Sequence, residues 1–310
     1  LMLQTWKYFS ACCLVLVLVI GSSVLPANAQ DLEPRSLSPA PKGLNIAGLT
    51  YTHSDGNVFF DKALLIEDAT GTINSATGLY GRTFGLFGKS SKVVAVLPFA
   101  WGDWEGLVDG EQASTSRRGL ADPGVLLVVD LVGAPAADLK DFVAYKEGMI
   151  VGLSILTVMP LGQYDPSKLI NLGSNRWIFR PRLGFSGRLQ RFTLEAMFDA
   201  YFFTDNDEAY GGTVLSQEAL YAMQANIIYT FRRGTWLALT AGIADGGQPS
   251  VNGVEKEAID NQTRLGGVLV FPFAKRYSIK LSYTNSVRTK IGGDYDLFAL
   301  SLQYKWGGGL

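Results

Sequence analysis

The feature that most limits what this chain can become is an alternation of apolar and polar residues with period two. It recurs segment after segment from Gly43 to Trp306. Phe192, Leu194, Ala196, Phe198, Ala200 and Phe202 fall on one face of such a segment, with Thr193, Glu195 and Asp199 on the other. Tyr277, Ile279, Leu281 and Tyr283 alternate with Arg276, Ser278, Lys280 and Ser282; Phe298, Leu300, Leu302, Tyr304 and Trp306 form the last stripe. Successive side chains of a strand point to opposite faces, so each stripe sets an apolar surface against a polar space. About twelve such segments begin near Leu44, Ile73, Lys92, Gly119, Glu147, Arg176, Arg191, Glu218, Thr235, Asn261, Arg276 and Gly293, each close to the ~9–11 residues that a tilted membrane strand needs.

The connections test this reading independently. In a barrel whose chain starts on the periplasmic side, odd connections are long external loops and even ones are tight turns. Ser54–Thr70, Asp103–Ser116, Gly162–Asn175, Thr204–Gln217 and Asp245–Asp260 are long; Gly88–Ser91, Gly187–Gln190, Arg232–Gly234 and Pro272–Lys275 are short. Ala134–Lys146 departs from the pattern and is long enough for a short periplasmic helix. A soluble sandwich has no reason to alternate loop lengths in this way. The expected fold is therefore all-β: an antiparallel up-and-down transmembrane β-barrel of about twelve strands, in the outer membrane.

The segment before the barrel reads as an export signal. Lys7 supplies the positive end, Phe9 to Ile20 the apolar run, and Ala27-Asn28-Ala29 the small-x-small cleavage site. The expected organisation is a cleaved signal peptide over 1–29, a Pro-rich periplasmic lead-in over 30–42 (Pro34, Pro39, Pro41), the barrel over 43–307 and a short tail over 308–310. Cys12 and Cys13 lie within the signal, so no disulfide is expected in the exported chain. Aromatic residues gather near strand ends, where rings anchor at the membrane interfaces. Trp101, Trp177, Tyr201 and Tyr221 are assigned to the outer belt, and Tyr229, Trp236, Phe271, Tyr277 and Trp306 to the inner one. The last strand, ending in Tyr304-Lys305-Trp306, resembles the C-terminal signal read by the barrel-assembly machinery, except that Gly307 to Leu310 follow it. Outer-membrane lipid and lipopolysaccharide are the other expected partners.

Little in the sequence points to catalysis. His53 is the only histidine, no nucleophile motif adjoins it, and it reads best as a residue at a strand rim. No metal site and no cofactor are expected, because His and Cys are too few for zinc and the acidic loop residues match no defined calcium loop. With 27 basic against 28 acidic residues, the charge gives no argument for a nucleic-acid partner.

The polar parity of the strands marks the candidate lumen. If Trp177, Phe179, Leu183 and Phe185 face lipid, then Arg176, Arg180 and Arg182 face inward. The same parity turns Glu195, Asp199, Gln224, Asn226, Arg264 and Lys280 inward, and Asp122 and Asp130 with them. A basic residue on the lipid side near the midplane costs ~2–4 kcal/mol, which favours this assignment. These charges either line a polar conduit or fill a narrow barrel as Arg–carboxylate networks.

The run Pro160-Leu161-Gly162-Gln163-Tyr164-Asp165, followed by Leu169-Ile170-Asn171-Leu172-Gly173-Ser174-Asn175-Arg176-Trp177, is distinctive. With Gly81-Arg82-Thr83-Phe84, Leu86-Phe87-Gly88-Lys89 and Asp122-Pro123, it resembles the family named for the meta-pathway of phenol degradation, a set of outer-membrane β-barrel transporters. The resemblance covers most of the chain from Gly43 to Trp306. It implies a channel for passive passage of small hydrophobic or aromatic compounds; the other reading is a structural or surface-interaction barrel with a plugged lumen. Pro160, Gly162, Tyr164, Asp165, Asn171, Gly173, Asn175 and Trp177 then stand at the channel mouth, as a folded latch or as substrate contacts.

Overall fold

Segments that are apolar on one face and polar on the other, with no spare backbone partners in lipid, are stable across a bilayer only when their hydrogen-bond ladder closes on itself. In a computed structural model, which describes residues 33–57, 66–108, 110–256, 262–288 and 294–309, it does. The strands are β1 (Leu44–Asn57), β2 (Ile66–Leu86), β3 (Lys89–Val108), β4 (Glu111–Leu120), β5 (Gly124–Val132), β6 (Met149–Val158), β7 (Ile178–Leu189), β8 (Phe192–Phe203), β9 (Asn206–Ala209), β10 (Thr213–Gln217), β11 (Leu220–Arg232), β12 (Thr235–Gly246), β13 (Pro249–Val251), β14 (Val254–Glu255), β15 (Gln262–Ala274), β16 (Tyr277–Arg288) and β17 (Asp294–Gly307). Each wall strand pairs antiparallel with its neighbours, and β1 pairs with β17 from Leu44↔Gly307 to Asn57↔Asp294, which closes the barrel. The short strands β9, β10, β13 and β14 form a separate sheet built from the connections after β8 and β12. The connection after β5 carries the expected short helix, α1 (Leu139–Ala144).

The wall has twelve staves, because β4 and β5 share one place. The outer half of β3 pairs with β4 (Phe99↔Leu120 to Val108↔Glu111) and the inner half with β5 (Val96↔Gly124 to Ser91↔Val129). Pro98 and Pro123 explain the interruption: neither has an N–H for the ladder where the two strands meet. The stretch 103–116 is expected to be a loop, and its residues 103–108 and 111–116 are instead the paired arms of an extended hairpin. Its polar sequence hides this, since a ribbon beyond the membrane needs no apolar face.

The exterior carries the apolar stripes: Leu49, Leu97, Leu153, Leu183, Phe198, Leu239 and Leu300 are exposed on the lipid-facing side. Rings assigned to the membrane belts divide. Trp177 stacks on Phe179 with centroids 6.1 Å apart, and Tyr304 on Trp306 at 5.3 Å, both outside the barrel. Tyr201 and Trp236 are buried and face inward, so they do not belong to the belts. Both lie on the polar parity of their strands, alongside Asp199 and Thr240 respectively.

Arginine in place of Leu300, at the middle of β17, should lower barrel stability by ~2–4 kcal/mol when unfolding is followed in phospholipid vesicles. Arginine in place of the inward neighbour Ser301 should not carry that lipid-facing cost, and equal losses at both positions would contradict the side assignment.

Candidate functional site

The interior is polar and occupied. Arg182 Nε donates to Asp199 Oδ1 at 2.7 Å, and Arg180 Nε lies 3.7 Å from the same oxygen. Arg180 also donates to the Tyr201 hydroxyl at 3.2 Å. One strand over, Glu195 Oε2 accepts from Asn226 Nδ2 at 2.8 Å, and Gln224 Nε2 donates to Asn226 Oδ1 at 2.9 Å. Arg264 bonds Gln262 at 3.2 Å, and Asp130 is buried beside Gly152. Arg176 sits nearer the mouth, donating to Gln217 Oε1 at 2.6 Å with its guanidinium 4.6 Å from the Phe203 ring. These side chains hold one another by charge-assisted bonds, the arrangement that makes charge tolerable away from bulk water.

A segment that the sequence placed in the periplasm runs through this interior. Glu33 is paired with Lys280. The Arg35 N–H donates to Glu195 Oε2 at 2.9 Å, and its guanidinium lies 5.5 Å from the Trp236 ring. Leu37 is 1% exposed and packs with Val128, Ala134, Ile150 and Met197. Gly152 and Gly184 make its socket, since a Cβ on either would come within 2.6 or 2.7 Å of the Leu37 side chain. Lys92 Nζ donates to the Ser38 carbonyl at 3.3 Å. The chain then turns into β1 through the Thr83 hydroxyl, which also accepts from the Leu44 N–H at 3.0 Å. A Pro-rich stretch reads as a solvated linker when its partners are out of sight, and these lie as far as 247 residues away.

At the external mouth Asp122 does not point into the lumen network. It stands at the break between β4 and β5 and holds the connection after β6. Its Oδ1 accepts from the Gly162 N–H at 2.8 Å, and its Oδ2 accepts from the Ser174 N–H at 2.7 Å and hydroxyl at 2.6 Å. Gly162 and Gly173 are required here, because a Cβ on either would lie within about 3 Å of the Asp122 side chain. Gln163 continues the arrangement by donating its N–H to the Leu120 carbonyl at 2.8 Å, which covers the free edge of β4.

The remaining motif residues fold the same connection. Asn171 accepts from the Asp165 N–H at 2.9 Å and donates to the carbonyls of Asp165 and Lys168 at 3.0 Å. Asn175, in the left-handed region at φ 51°, donates to Asn206 Oδ1 at 2.9 Å, and Asn206 donates to the Tyr164 hydroxyl at 2.9 Å. Pro160 follows the end of β6, and Trp177 faces outward just before β7. The contacts of the motif are those of a latch. Bonds from the Ser167 hydroxyl and Lys168 hold the Asp165 carboxyl down at about 2.

A second interruption of the wall lies between β7 and β8. The β7–β8 ladder pairs Phe179 with Phe202 and resumes at Arg182–Asp199, skipping Arg180 and Pro181. Outside it lies a recess of about 540 Å³ between Leu127, Leu153, Ile155, Leu183 and Phe198. Arg182 and Asp199, whose side chains are turned inward and buried, border it as well. His53 is remote from all of this: it faces outward at the external rim, with Nδ1 2.9 Å from Asn74 Oδ1. Among the described residues no cluster of His, Cys, Asp and Glu forms a metal site.

A family profile described as "Putative MetA-pathway of phenol degradation" matches residues 55–296. The chain is similar to a solved outer membrane channel from Pseudomonas putida F1, at 19% identity and a TM-score of 0.75, over 89% of this chain and 100% of that one. It is similar also to the transport unit of the autotransporter AIDA-I from Escherichia coli, at 13% identity and a TM-score of 0.51, over 89% of this chain and 93% of that one. No curated protein sequence matches.

Asp122→Ala should free residues 159–177 to external protease while the barrel keeps its heat-modifiable migration, because three donors lose a charged acceptor worth ~1.5–3 kcal/mol each. Unchanged resistance would sink the latch. The Asp165 carboxyl is depressed, so its contribution is complete above the ordinary carboxylate range and is lost as pH falls through about 2. A carboxyl resonance titrating near the ordinary value instead would show that the turn is not formed.

Proposed function

The chain belongs to this phenol-degradation family of outer-membrane barrels, and from that premise we propose that it carries small hydrophobic or aromatic molecules passively across the outer membrane. The observation that carries this reading is the recess at Pro181, an apolar surface on the lipid side at the place where the β7–β8 ladder is interrupted. A porin for hydrophilic solutes needs a wide aqueous lumen; here the segment from Glu33 to Lys42 takes up the interior. An apolar molecule that enters at the mouth therefore has a lower-cost way out sideways, into lipid, than along Arg182, Asp199 and Glu195. Arg176, Arg180, Arg182, Glu195, Asp199, Asn226, Arg264, Lys280 and Asp130 act in this reading as the polar lining that holds the inner segment and excludes apolar solute from the axis. Asp122 and the mouth motif hold the external connection in place. The reading is non-enzymatic: the one histidine is on the outer rim, bonded to Asn74.

The inner segment favours a second reading, a plugged barrel with a structural or surface role. Two measurements on the refolded protein separate them. Ion conductance in a planar bilayer should be small, and should rise in Leu37→Asp, which places a charge in the apolar socket. Uptake of a labelled aromatic solute into vesicles with lipopolysaccharide in the outer leaflet should exceed that of protein-free vesicles. It should fall in Pro181→Val, which restores an N–H to β7. A folded barrel that leaves aromatic uptake unchanged would establish the plugged reading in its place.

A further inference from the structure

The β3–β4 hairpin extends past the apolar band, and its inner face carries an indole that nothing in the barrel wall requires. Trp104 is 5% exposed and lies on the same face as Gly102, Gly106 and Thr115. The glycine at 102 leaves space for it: a Cβ there would lie 3.1 Å from the ring. Opposite stand Leu169 and Ile170 of the connection after β6, with Tyr210 from the turn between β9 and β10. Arg117 ties the two walls together, its Nε donating to the Ile170 carbonyl at 2.8 Å. Between them is a cavity of about 230 Å³. An apolar cavity of roughly 150 Å³ holds benzene in an engineered protein, so this one takes a single ring with a substituent.

We propose that this cavity is an external capture site for uncharged monocyclic aromatic molecules carrying one hydrogen-bonding substituent. The proposal takes its ligand class from the transport reading above and assigns it a first binding place, before the interior is reached. The ring packs against Trp104, Val108 and Ile170, where an unfilled apolar wall forfeits dispersion contacts that an aromatic guest restores. The substituent is met by the hydroxyls of Thr115, opposite Trp104 on the same face, and Ser167, which border the same space. Neutral guests are favoured because the charges around the space are of both signs: Glu105 and Arg117 border it together, and Lys168 Nζ lies 2.9 Å from Asp165 Oδ2. Three different connections build the walls, and the Asp122 latch fixes one of them, so the site exists only while the mouth is folded.

The test uses the full refolded barrel labelled with 5-fluorotryptophan and titrated with 4-methylphenol. The fluorine resonance that disappears in Trp104→Phe should shift saturably, while the outward-facing Trp101, Trp177 and Trp306 should show at most a linear drift from solute in the detergent. Ala113→Phe, which fills the cavity from β4 without touching the indole, should raise the half-saturation concentration by about tenfold or more. A linear response at Trp104, or a saturation curve unmoved by Ala113→Phe, overturns the proposal. Vesicle uptake of the same solute keeps the two readings apart. Uptake without a saturable Trp104 response removes the capture site and leaves transport standing; a saturable, Ala113→Phe-sensitive response without uptake supports the site and removes transport.

Discussion

Everything in this molecule follows from the requirement that no backbone N–H or C=O be left unpaired in hydrocarbon. The pairing of β1 with β17 meets that requirement for the wall as a whole, because it is the ladder that leaves no edge. With the edge gone, side-chain parity does the rest: one face of each strand is given to lipid and the other to the enclosed space. The charged residues are inside because the alternative is a midplane charge in lipid. Once inside they bond to one another, Arg182 to Asp199 and, separately, Gln224 to Asn226 to Glu195. The inner segment adds the backbone N–H of Arg35 on Glu195 and the carboxylate of Glu33 on Lys280.

The same constraint shows where the wall is permitted to fail. Proline has no N–H to offer, and Pro98, Pro123 and Pro181 stand at two of the interruptions in the ladder. At the first, the external connection closes the break with Asp122 and Gln163. At the second, the outer face carries an apolar recess. One interruption is thus closed by polar bonds and the other is bordered by apolar side chains, which suits water at the mouth and hydrocarbon along the wall.

The barrel was legible in the sequence because period-two alternation is a local property, and it located all twelve staves and the inward side of Arg176, Arg180 and Arg182. It failed where another criterion was put above it. Tyr201 and Trp236 were assigned to the belts for their nearness to strand ends, although each lies on the polar parity of its own strand. Residues 103–116 were read as a loop because polarity was equated with irregularity, which does not hold beyond the membrane. The inner segment was not legible at all, since Leu37 finds its socket in Gly152, Gly184 and Met197 on three different strands. Parity places Asp122 in the lumen; its place at the latch is not legible in the sequence, because its partners Gly162 and Ser174 are brought to it only by the fold.

The division of one stave into β4 and β5 has a consequence for how such barrels diversify. The external half pairs only with β3 and is joined to the membrane half by three residues, Ala121, Asp122 and Pro123. At its tip Gly110 turns at φ 80° with open space around it. Insertions, deletions or exchanged residues in this hairpin leave stave number, tilt and register of the wall untouched. Selection can therefore rework what the mouth meets as a replaceable cassette, at a rate set apart from that of the wall it stands on.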